Sequence, residues 1–355
     1  MRKLATIRRI QNLTPITEAY RIEVAQLDDW FCIVKKGEFQ VGDKAVYFEV
    51  DSFLPEEARY AFLGSCKKTY QDVVGYRIKT MKMKGVISQG LALPLSLFPE
   101  LKGDEVDVTE QLRVVKYDVS TLSTTAAFGN PAGNFPTFIP KTEQERIQNL
   151  PTYYENYKNE LFEETLKLDG SSCTMYKIAV KLNFFDKVKK FFGFKINTSR
   201  FGVCSRNLEI RETAEVKSTF WGMAYKYGIK DKLPIGYAIQ GELVGPRIQS
   251  NHEKVTQNEF FIFDVWDIAK QQYLTPEERK HFVRTYLGLK LHIPVVNEAV
   301  RIFQECENVV DLLKRVKGRS INLGTVSEGR VYKMLRNPSI SFKVINPEYL
   351  LKHEE

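Results

Sequence analysis

One lysine and one aspartate stand close enough in the sequence to act together. They belong to the run Lys167-Leu168-Asp169-Gly170, a pattern typical of a strand that runs into a turn. Residues two apart on a strand point to the same face, so the carboxylate could orient the amine or hold a metal-bound water. A free lysine has a pKa of about 10.4, so an attacking amine needs neighbouring cations or a metal to become neutral. The alternative, a surface strand-turn pair, is not excluded by this short run alone.

Other catalytic chemistries lack the residues that they need. The 355 residues include four histidines and five cysteines, all dispersed and without a Cys-x-x-Cys pair. This pattern argues against a catalytic triad, a zinc site and a disulfide framework, and it predicts reduced core cysteines. With 43% apolar and 27% charged residues, the composition suits two domains with proper cores. The formal net charge of +8 makes a polyanionic partner reasonable.

The elements that position these residues begin with a strand-rich leader. Its predicted strands are Ala5–Ile10, Arg21–Leu27, Trp30–Lys35, Lys44–Val50, Tyr76–Met83 and Val86–Leu93. So many short strands favour a small β-barrel, for which an OB-type fold and other small barrels both remain open. A turn-rich stretch follows. The predicted organisation is a β-barrel domain over 1–113, a linker over 114–137 and an α+β domain over 138–355.

Beyond the linker, strands mix with helices. Thr142-Glu-Gln-Glu145 has the form of a capping box and predicts a short helix through Asn149. N-caps and closing glycines predict two scaffold helices, Thr275–Gly288 and Asn308–Gly318. Two apolar segments predict interior strands, Tyr237–Val244 and Phe260–Trp266. The chain starts without an apolar leader and has no apolar run of roughly 18 residues, so a cytosolic protein is expected.

Four further segments follow Lys167 in a definite order. They are Cys204–Asn207, Gln240–Gly245, Phe260–Asp264, and Ser327–Gly329 followed by Phe342–Val344. In order and chemistry the set resembles the motifs of the covalent nucleotidyltransferases, which attach a nucleotide to a lysine. Over nearly its whole length the chain most resembles the Naegleria-type ATP-dependent RNA ligases with an N-terminal OB domain. Little sequence follows Lys343, so capping enzymes and many DNA ligases, which carry a C-terminal OB domain, are less expected.

The resemblance implies a fold and a reaction. The fold would be an OB-like barrel followed by an α+β nucleotidyltransferase domain. Lys167 would attack the α-phosphorus of ATP to give lysyl-AMP, AMP would pass to an RNA 5′-phosphate, and an RNA 3′-hydroxyl would displace it. Mg²⁺ or Mn²⁺ would assist, because each step develops negative charge on phosphate oxygens. The expected role in the cell is RNA repair.

The resemblance also implies the site residues. The catalytic residues would be Lys167, Asp169, Glu242, Glu328 and Lys343. Of these, the ones around the metal, through its waters, would be Asp169, Glu242 and Glu328. The ATP contacts would be Leu166, Arg206, Phe260, Val326, Arg146, Gln148 and Lys141. For Glu242, Glu328 and Lys343 the alternative is a solvated side chain. For Arg146 it is an exposed helix residue, and for Phe260 it is a core aromatic.

Individual contacts follow from the same comparison. Phe260 matches the adenine-stacking aromatic, although Phe261 and Phe263 lie on the opposite face of the strand. Arg206 and Lys343 would contact the ribose or α-phosphate. Arg146 and Lys141 would contact the β- and γ-phosphates. Related ligases often carry a Lys-x-Lys pair where this chain has Ser341-Phe342-Lys343, so the α-phosphate could instead rely on Lys343, Lys333 or Arg330.

Two basic segments suggest contact with RNA. A strand-turn of the leader carries Arg77, Lys79, Lys82 and Lys84. The last two are expected on one face, as a phosphate-tracking surface needs, although charge runs are commonly only solvated. Phe184–Phe192 predicts a basic amphipathic helix that packs on the domain, covers RNA or lies on a membrane surface.

Rival functions share parts of this pattern. A DNA or mixed-polynucleotide ligase would use the same motifs, since no short sequence encodes recognition of the 2′-hydroxyl. A non-catalytic RNA-binding protein on a ligase scaffold is the alternative of another class. Retention of Lys167, Asp169, Glu242, Glu328 and Lys343 together argues against it. The expected partners are ATP and RNA with 5′-phosphate and 3′-hydroxyl ends, with no membrane, for a monomer in the cytoplasm or in a eukaryotic nucleus.

Overall fold

The computed structural model describes residues 2–103, 105–117, 129–180, 192, 198–213 and 218–353. The chain forms two compact units. The first unit comprises Met1–Leu122, Ile147–Thr152 and Pro347–Glu355, and the second comprises Ser123–Arg146 and Tyr153–Asn346. The organisation predicted from the sequence placed 114–137 in a linker and the segments at 147–152 and 347–355 in the catalytic domain. The two units instead divide the predicted linker between residues 122 and 123, and the first unit includes both short segments.

The first unit consists mainly of short strands. They are β1 Ala5–Arg9, β2 Asn12–Pro15, β3 Ile22–Leu27, β4 Trp30–Lys35, β5 Lys44–Phe48, β6 Ser52–Pro55, β7 Lys67–Tyr70, β8 Val73–Arg77, β9 Met81–Met83, β10 Val86–Ser88, β11 Leu91–Pro94 and β12 Val115–Lys116. All their pairings are antiparallel, in the orders β1-β5-β11, β2-β3-β4, β9-β10 and β12-β6-β8-β7.

Strand β5 lies between two apolar cores of this unit. Successive residues of a strand point to opposite faces. Ala45 and Tyr47 therefore pack with Trp30 and its neighbours, whereas Val46 and Phe48 pack in a separate cluster. Burial on both faces explains why this strand reads as a continuous apolar run.

The leader strands confirm the predicted pattern with two corrections. The predicted strand Tyr76–Met83 is wrong as a single element, because β8 pairs with β6 and β7 whereas β9 pairs with β10. Val86–Leu93 is likewise divided into β10 and β11, which belong to different sheets. In both places the chain changes its pairing partner, which strand propensity alone does not reveal.

The second unit contains two larger sheets. Its strands are β13 Pro131–Asn134, β14 Glu145–Arg146, β15 Phe162–Lys167, β16 Ser171–Ala179, β17 Ser199–Cys204, β18 Leu208–Ile210, β19 Tyr237–Val244, β20 Glu259–Asp267, β21 Gln272–Tyr273, β22 Val295–Val300, β23 Gly329–Met334 and β24 Ser341–Ile345. A seven-stranded sheet has the order β13-β18-β17-β16-β19-β20-β21, and a five-stranded sheet has the order β14-β24-β23-β15-β22. One face of the seven-stranded sheet is covered by an apolar core that includes Phe220, Ile239 and Phe260.

The helices are short. They are α1 Tyr153–Asn156, α2 Thr219–Lys226, α3 Ile229–Lys232, α4 Pro276–Phe282, α5 Ile302–Glu305, α6 Val309–Arg315 and α7 Pro347–His353. Tighter 3₁₀ segments occupy Ala58–Cys66, Leu95–Leu97, Ile147–Asn149 and Leu289–Leu291, and a π-helical segment occupies Val283–Leu287. Both predicted scaffold helices are confirmed, with Thr275 forming a capping box at α4 and Asn308 capping α6.

The helix predicted from Thr142 to Asn149 is wrong. The Thr142 hydroxyl bonds to the Ser172 hydroxyl at 2.8 Å instead of capping a helix. Glu145 and Arg146 form β14, which pairs in parallel with β24, and only Ile147–Asn149 makes a helical turn. Tertiary strand pairing therefore outweighs the local capping signal.

The predicted linker is partly structured. Val115–Lys116 pairs with β6, and Pro131–Asn134 pairs with β18. The residues between them at 118–128 lie outside the described residues, as does almost all of the basic helix predicted over Phe184–Phe192. Within the described chain all five cysteines are free and buried, which confirms that prediction. No helix in the part of the chain that the structure describes is long and apolar enough to cross a membrane.

Candidate active site

Lys167 lies where the chain passes from one sheet of the second unit to the other. It is the last residue of β15 in the five-stranded sheet, and Ser171 begins β16 in the seven-stranded sheet. Across the β15–β23 ladder Lys167 is opposite Gly329, so the preceding residue, Glu328, lies beside it. Lys167 Nζ donates to Glu328 Oε1 at 2.5 Å. The pair is partly shielded, with side-chain exposures of 26% for Lys167 and 13% for Glu328.

Two glycines permit this close approach. A Cβ atom on Gly170 would lie 2.3 Å from the Leu243 carbonyl oxygen, so the turn after Asp169 could not sit against β19 with a larger residue. Gly329 has a φ of 154°, and a Cβ there would lie 2.2 Å from the Val344 carbonyl oxygen. The Asp-Gly and Glu-Gly pairs of the sequence thus have a steric origin beside the two carboxylates.

Three carboxylates surround one amine. Burial lowers the pKa of Lys167, but the charges of Glu328, Glu242 and Asp169 outweigh it and raise the pKa overall. Burial raises the pKa of Glu242 to about 8, against the opposing charge of Lys167. Burial likewise raises the pKa of Glu328, again despite Lys167. The protein's own groups therefore hold the amine as a cation, and a bound metal that neutralises the carboxylates would lower its pKa.

The carboxylate set fits a divalent cation held through water. Glu328 Oε2 is buried and makes no hydrogen bond within the described residues. Across the same residues, no group of three or more His, Cys, Asp or Glu side chains is placed to hold a metal ion directly. Mg²⁺ and Mn²⁺ prefer hard oxygen ligands, and Mg²⁺ usually keeps several waters. The water-mediated arrangement predicted for Asp169, Glu242 and Glu328 stays a prediction that this geometry fits.

The segment before β14 carries cations to the edge of the carboxylate cluster. Lys141 Nζ donates to Asn207 Oδ1 at 3.0 Å, and Arg206 is paired with Glu143. The positive charge of Arg206 also lowers the pKa of Glu242, although burial dominates there. The segment is anchored to the seven-stranded sheet, since Gln240 Nε2 donates to the Pro140 carbonyl at 2.8 Å. Lys141 and Arg206 are thus brought together at this sheet.

Arg146 and Lys343 are neighbours on adjacent strands. They are directly paired in the parallel β14–β24 ladder, which places their side chains on the same face of the five-stranded sheet. Lys343 pairs with Val331, and Val331 pairs with Thr165, two residues before Lys167, so the three strands present Lys343 and Lys167 to one side. The charge of Lys343 also acts on Glu328. The structure therefore gathers Arg146, Lys343, Lys167 and Glu328.

Phe260 does not face this cluster. It is 1% exposed and packs in the apolar core on the opposite face of the seven-stranded sheet, opposite Leu243. The prediction that Phe260 stacks on adenine is therefore wrong. Phe261 is directly opposite Glu242 on the neighbouring strand and packs in a cluster that contains Leu166 and Leu168. The alternation of side chains along β20 predicts that Phe260 and Phe261 face opposite sides of the sheet. Only the register of strand pairing shows which of them is on the side of Glu242.

The remaining predicted ATP contacts differ in their placement. Leu166 is half-buried beside Phe261, in the cluster just described. Val326 is 8% exposed, and its carbonyl accepts a hydrogen bond from His252 Nε2 at 2.7 Å. Gln148 is buried and belongs to the first unit.

The two alternative cations of the last motif have other tasks. Lys333 Nζ bonds to Asp264 Oδ1 at 2.6 Å and to the Phe263 carbonyl at 2.9 Å, and the residue is 2% exposed. Arg330 Nη1 donates to Ser327 Oγ at 2.6 Å and to the Gly329 carbonyl at 2.9 Å. Both side chains are enclosed by protein, whereas Lys343 is half-buried on the side of Lys167.

The predicted RNA-binding residues lie in the first unit. Arg77 bonds to Asp51 at 3.0 Å and stacks over Tyr117. Lys79 is half-buried, whereas Lys82 and Lys84 are exposed. Lys82 is in β9, but Lys84 is in the turn to β10 with a φ of 49°, so the two do not share a strand face as predicted.

Comparisons with known proteins agree with both units. A family model described as an OB-fold domain matches residues 4–95, and one described as RNA ligase matches residues 160–345. Naegleria gruberi RNA ligase with PPi is 39% identical, with a TM-score of 0.85, over 100% of this chain and 99% of that chain. A lysine-to-methionine mutant of that ligase with AMP and Mn is 39% identical over 99% of both chains, with a TM-score of 0.86. A lysine-to-alanine mutant with ATP and Mn is 38% identical over 99% of both chains, with a TM-score of 0.85. Among curated proteins none matches the chain.

The fold is thus that of a covalent nucleotidyltransferase with an N-terminal OB-fold domain. The chain belongs to the RNA ligase family. The resemblance seen in the sequence and the predicted fold class are confirmed.

Proposed function

We propose that the protein is an ATP-dependent RNA ligase that works through Lys167. The observation that carries this is the position of the Lys167 amine, 2.5 Å from Glu328 and within the field of Glu242 and Asp169, in a chain of the RNA ligase family. The similar Naegleria structures with ATP, AMP and Mn support ATP as the nucleotide donor and Mn²⁺ or Mg²⁺ as the metal.

The reaction begins at the amine. Nζ loses a proton and attacks the α-phosphorus of ATP, so that a P–N bond forms, the α–β anhydride bond breaks and pyrophosphate leaves. A divalent metal supplies charge neutralisation at the phosphate oxygens and at the carboxylates. Glu328 orients the amine through its hydrogen bond, and Arg146 and Lys343 place positive charge on the same side of the sheet.

Two transfers to RNA complete the cycle. An oxygen of the RNA 5′-phosphate attacks the AMP phosphorus and releases the lysine as the P–N bond breaks. The RNA 3′-hydroxyl then attacks the activated 5′-phosphorus, forms the phosphodiester and releases AMP. The exposed Lys82 and Lys84 are suited to holding the RNA backbone by charge. The expected role is RNA repair.

The test is covalent labelling with α-³²P-ATP and Mn²⁺, followed by a denaturing gel. The wild type should retain the label, Lys167→Met should lose it, and Lys270→Met, which changes an exposed lysine, should retain it. Absence of label on wild-type protein stripped with pyrophosphate would leave only RNA binding as the function. Sealing of nicked RNA over nicked DNA then separates an RNA ligase from a ligase of either polynucleotide.

The proposed cellular context follows from the state of the cysteines. The free, buried cysteines suit a reducing compartment, so the cytoplasm, or the nucleus of a eukaryotic cell, is the proposed location. A monomer is proposed, and sedimentation at micromolar concentration would measure it.

A further inference from the structure

One loop of the second unit holds both catalytic segments. It is the 245–258 loop, which joins β19 to β20 and so begins and ends in the seven-stranded sheet. Lys167, in contrast, ends β15 of the five-stranded sheet, and Glu328 is the residue before β23 of the same sheet. The loop therefore starts on one sheet and reaches the catalytic residues of the other.

The first contact is made by His252. Its Nε2 donates to the Val326 carbonyl at 2.7 Å, and the residue is 7% exposed. Val326 lies two residues before Glu328, while the β15–β23 ladder holds the residue after Glu328. The segment that presents Glu328 to Lys167 is thus held on one side by the sheet and on the other by His252.

The second contact is made by Glu253 and concerns the turn at Asp169. Glu253 is 0% exposed, and neither of its carboxylate oxygens has a hydrogen bond of normal geometry among the described residues. Burial raises the pKa of Glu253, whereas the Ser320 hydroxyl, the charge of His252 and the backbone amide of Asp169 act in the opposite direction. A buried carboxylate without a hydrogen-bond partner is costly, so its retention beside His252, in a loop that contacts the turn after Asp169, points to a positioning role. Gln249 adds a hydrogen bond to the Gly170 carbonyl at 3.3 Å.

The backbone of the loop is also unusual. Four residues other than glycine have positive φ, namely Arg247, Gln249, Asn251 and Lys254. Such conformations persist when surrounding contacts enforce them, and they cluster at functional sites. The strain accords with a loop whose shape is dictated by what it must hold.

We propose that His252 and Glu253 are positioning residues for adenylyl transfer, which set Glu328 and Asp169 relative to Lys167. This rests on the proposed function, since it concerns the same lysine and carboxylates. A displacement of 1 Å far from the reacting atoms can lower a rate by about 10²-fold, so two contacts of this kind are enough to matter. Neither residue touches the reacting atoms.

The experiment compares alanine and conservative variants. His252→Ala and Glu253→Ala should lower the rate of lysyl-AMP formation by about tenfold or more and raise the Mn²⁺ concentration for half-maximal rate several-fold. His252→Gln and Glu253→Gln should restore most of both, because they keep a donor to Val326 and an acceptor for the Asp169 amide. The controls His281→Ala and Glu277→Ala change exposed residues of α4 and should match the wild type.

A second readout does not require catalysis. In a Lys167→Met background, calorimetry of ATP binding should show the same increase in Mn²⁺ requirement for the two alanine variants. Should an alanine variant not fold, His252→Asn, whose shorter side chain does not reach Val326, and Glu253→Asp, whose shorter side chain withdraws the carboxylate from the Asp169 amide, take its place. A lowered melting temperature with unchanged Mn²⁺ dependence would mean that the residues only stabilise the fold, and the proposal would be overturned. Failure of the proposed function is distinguishable from failure of this proposal. In the first case the wild-type protein would take up no label, although the calorimetric comparison of ATP binding could still be made.

Discussion

The two adjacent aromatics of β20 should respond to substitution in opposite ways. Phe260 is 1% exposed in the apolar core, and replacing a buried phenylalanine by alanine typically removes about 3–5 kcal/mol of unfolding free energy. For a domain of this size, that corresponds to a melting temperature lower by about 6–20 °C. Phe260→Ala should therefore be unstable, while the KM for ATP of the remaining folded protein should be near that of the wild type.

Phe261 should act on ATP binding instead. It lies opposite Glu242, on the side of the sheet that faces the lysine and carboxylates. An aromatic side chain that stacks on a base contributes about 1–3 kcal/mol, so Phe261→Ala should raise the KM for ATP by about 5- to 150-fold. Phe261→Leu is the matched variant, since it keeps most of the apolar volume of the cluster but removes the aromatic face.

The assay measures the initial rate of lysyl-AMP formation against ATP concentration, together with melting by scanning calorimetry. Phe261→Leu should show most of the increase in KM with little change in melting temperature. The register argument would be refuted if Phe260→Ala raised the KM while keeping its stability, or if Phe261→Leu bound ATP like the wild type.

Three further outcomes are expected. The pKa of Lys167 is raised above its usual value, so the neutral amine is scarce at low pH. The rate of lysyl-AMP formation should therefore increase about tenfold per pH unit from 6 to 8 at limiting Mn²⁺, and saturating Mn²⁺ should shift this profile to lower pH. A flat profile would contradict the role of the carboxylates. Lys333→Met should leave Asp264 buried without its cation and so lower the unfolding free energy, measured by denaturant titration, by about 3–5 kcal/mol. The KM for ATP should be unchanged. A raised KM would mean that Lys333 contacts phosphate after all. The double substitution Lys82→Ala with Lys84→Ala should weaken binding of single-stranded RNA without slowing lysyl-AMP formation. The slope of log binding constant against log salt concentration should decrease in magnitude by about 1.4. An unaltered slope would show that neither lysine contacts phosphate.

Much of the chemistry was present in short stretches of sequence. The Lys167-x-Asp169-Gly170 run, with the later Gly241-Glu242 and Glu328-Gly329 pairs, resembles the nucleotidyltransferase motifs and so predicted the nucleophile and its carboxylates. The structure brings Lys167 and Glu328 together. The helices at Thr275 and Asn308 were predicted because capping depends on side chains only three residues from the cap. At these two caps the interacting groups are close in sequence, so the sequence alone is sufficient.

The choices that depend on distant partners required the tertiary structure. Which face of β20 is core follows from its pairing with β19 and from the irregularity between Gln240 and Gly241. The capping pattern at Thr142 does not form a helix, because β14 pairs with β24, a strand roughly two hundred residues away. Lys333 was one of three alternative cations for the α-phosphate in the sequence, and only the structure shows that it is buried against Asp264. Strand register, burial and the contacts of the 245–258 loop depend on packing between segments that are distant in sequence. Neither segment of such a pair contains a local pattern that identifies the other. The sequence by itself therefore determined the reacting groups, and the tertiary structure decided which side chains face them.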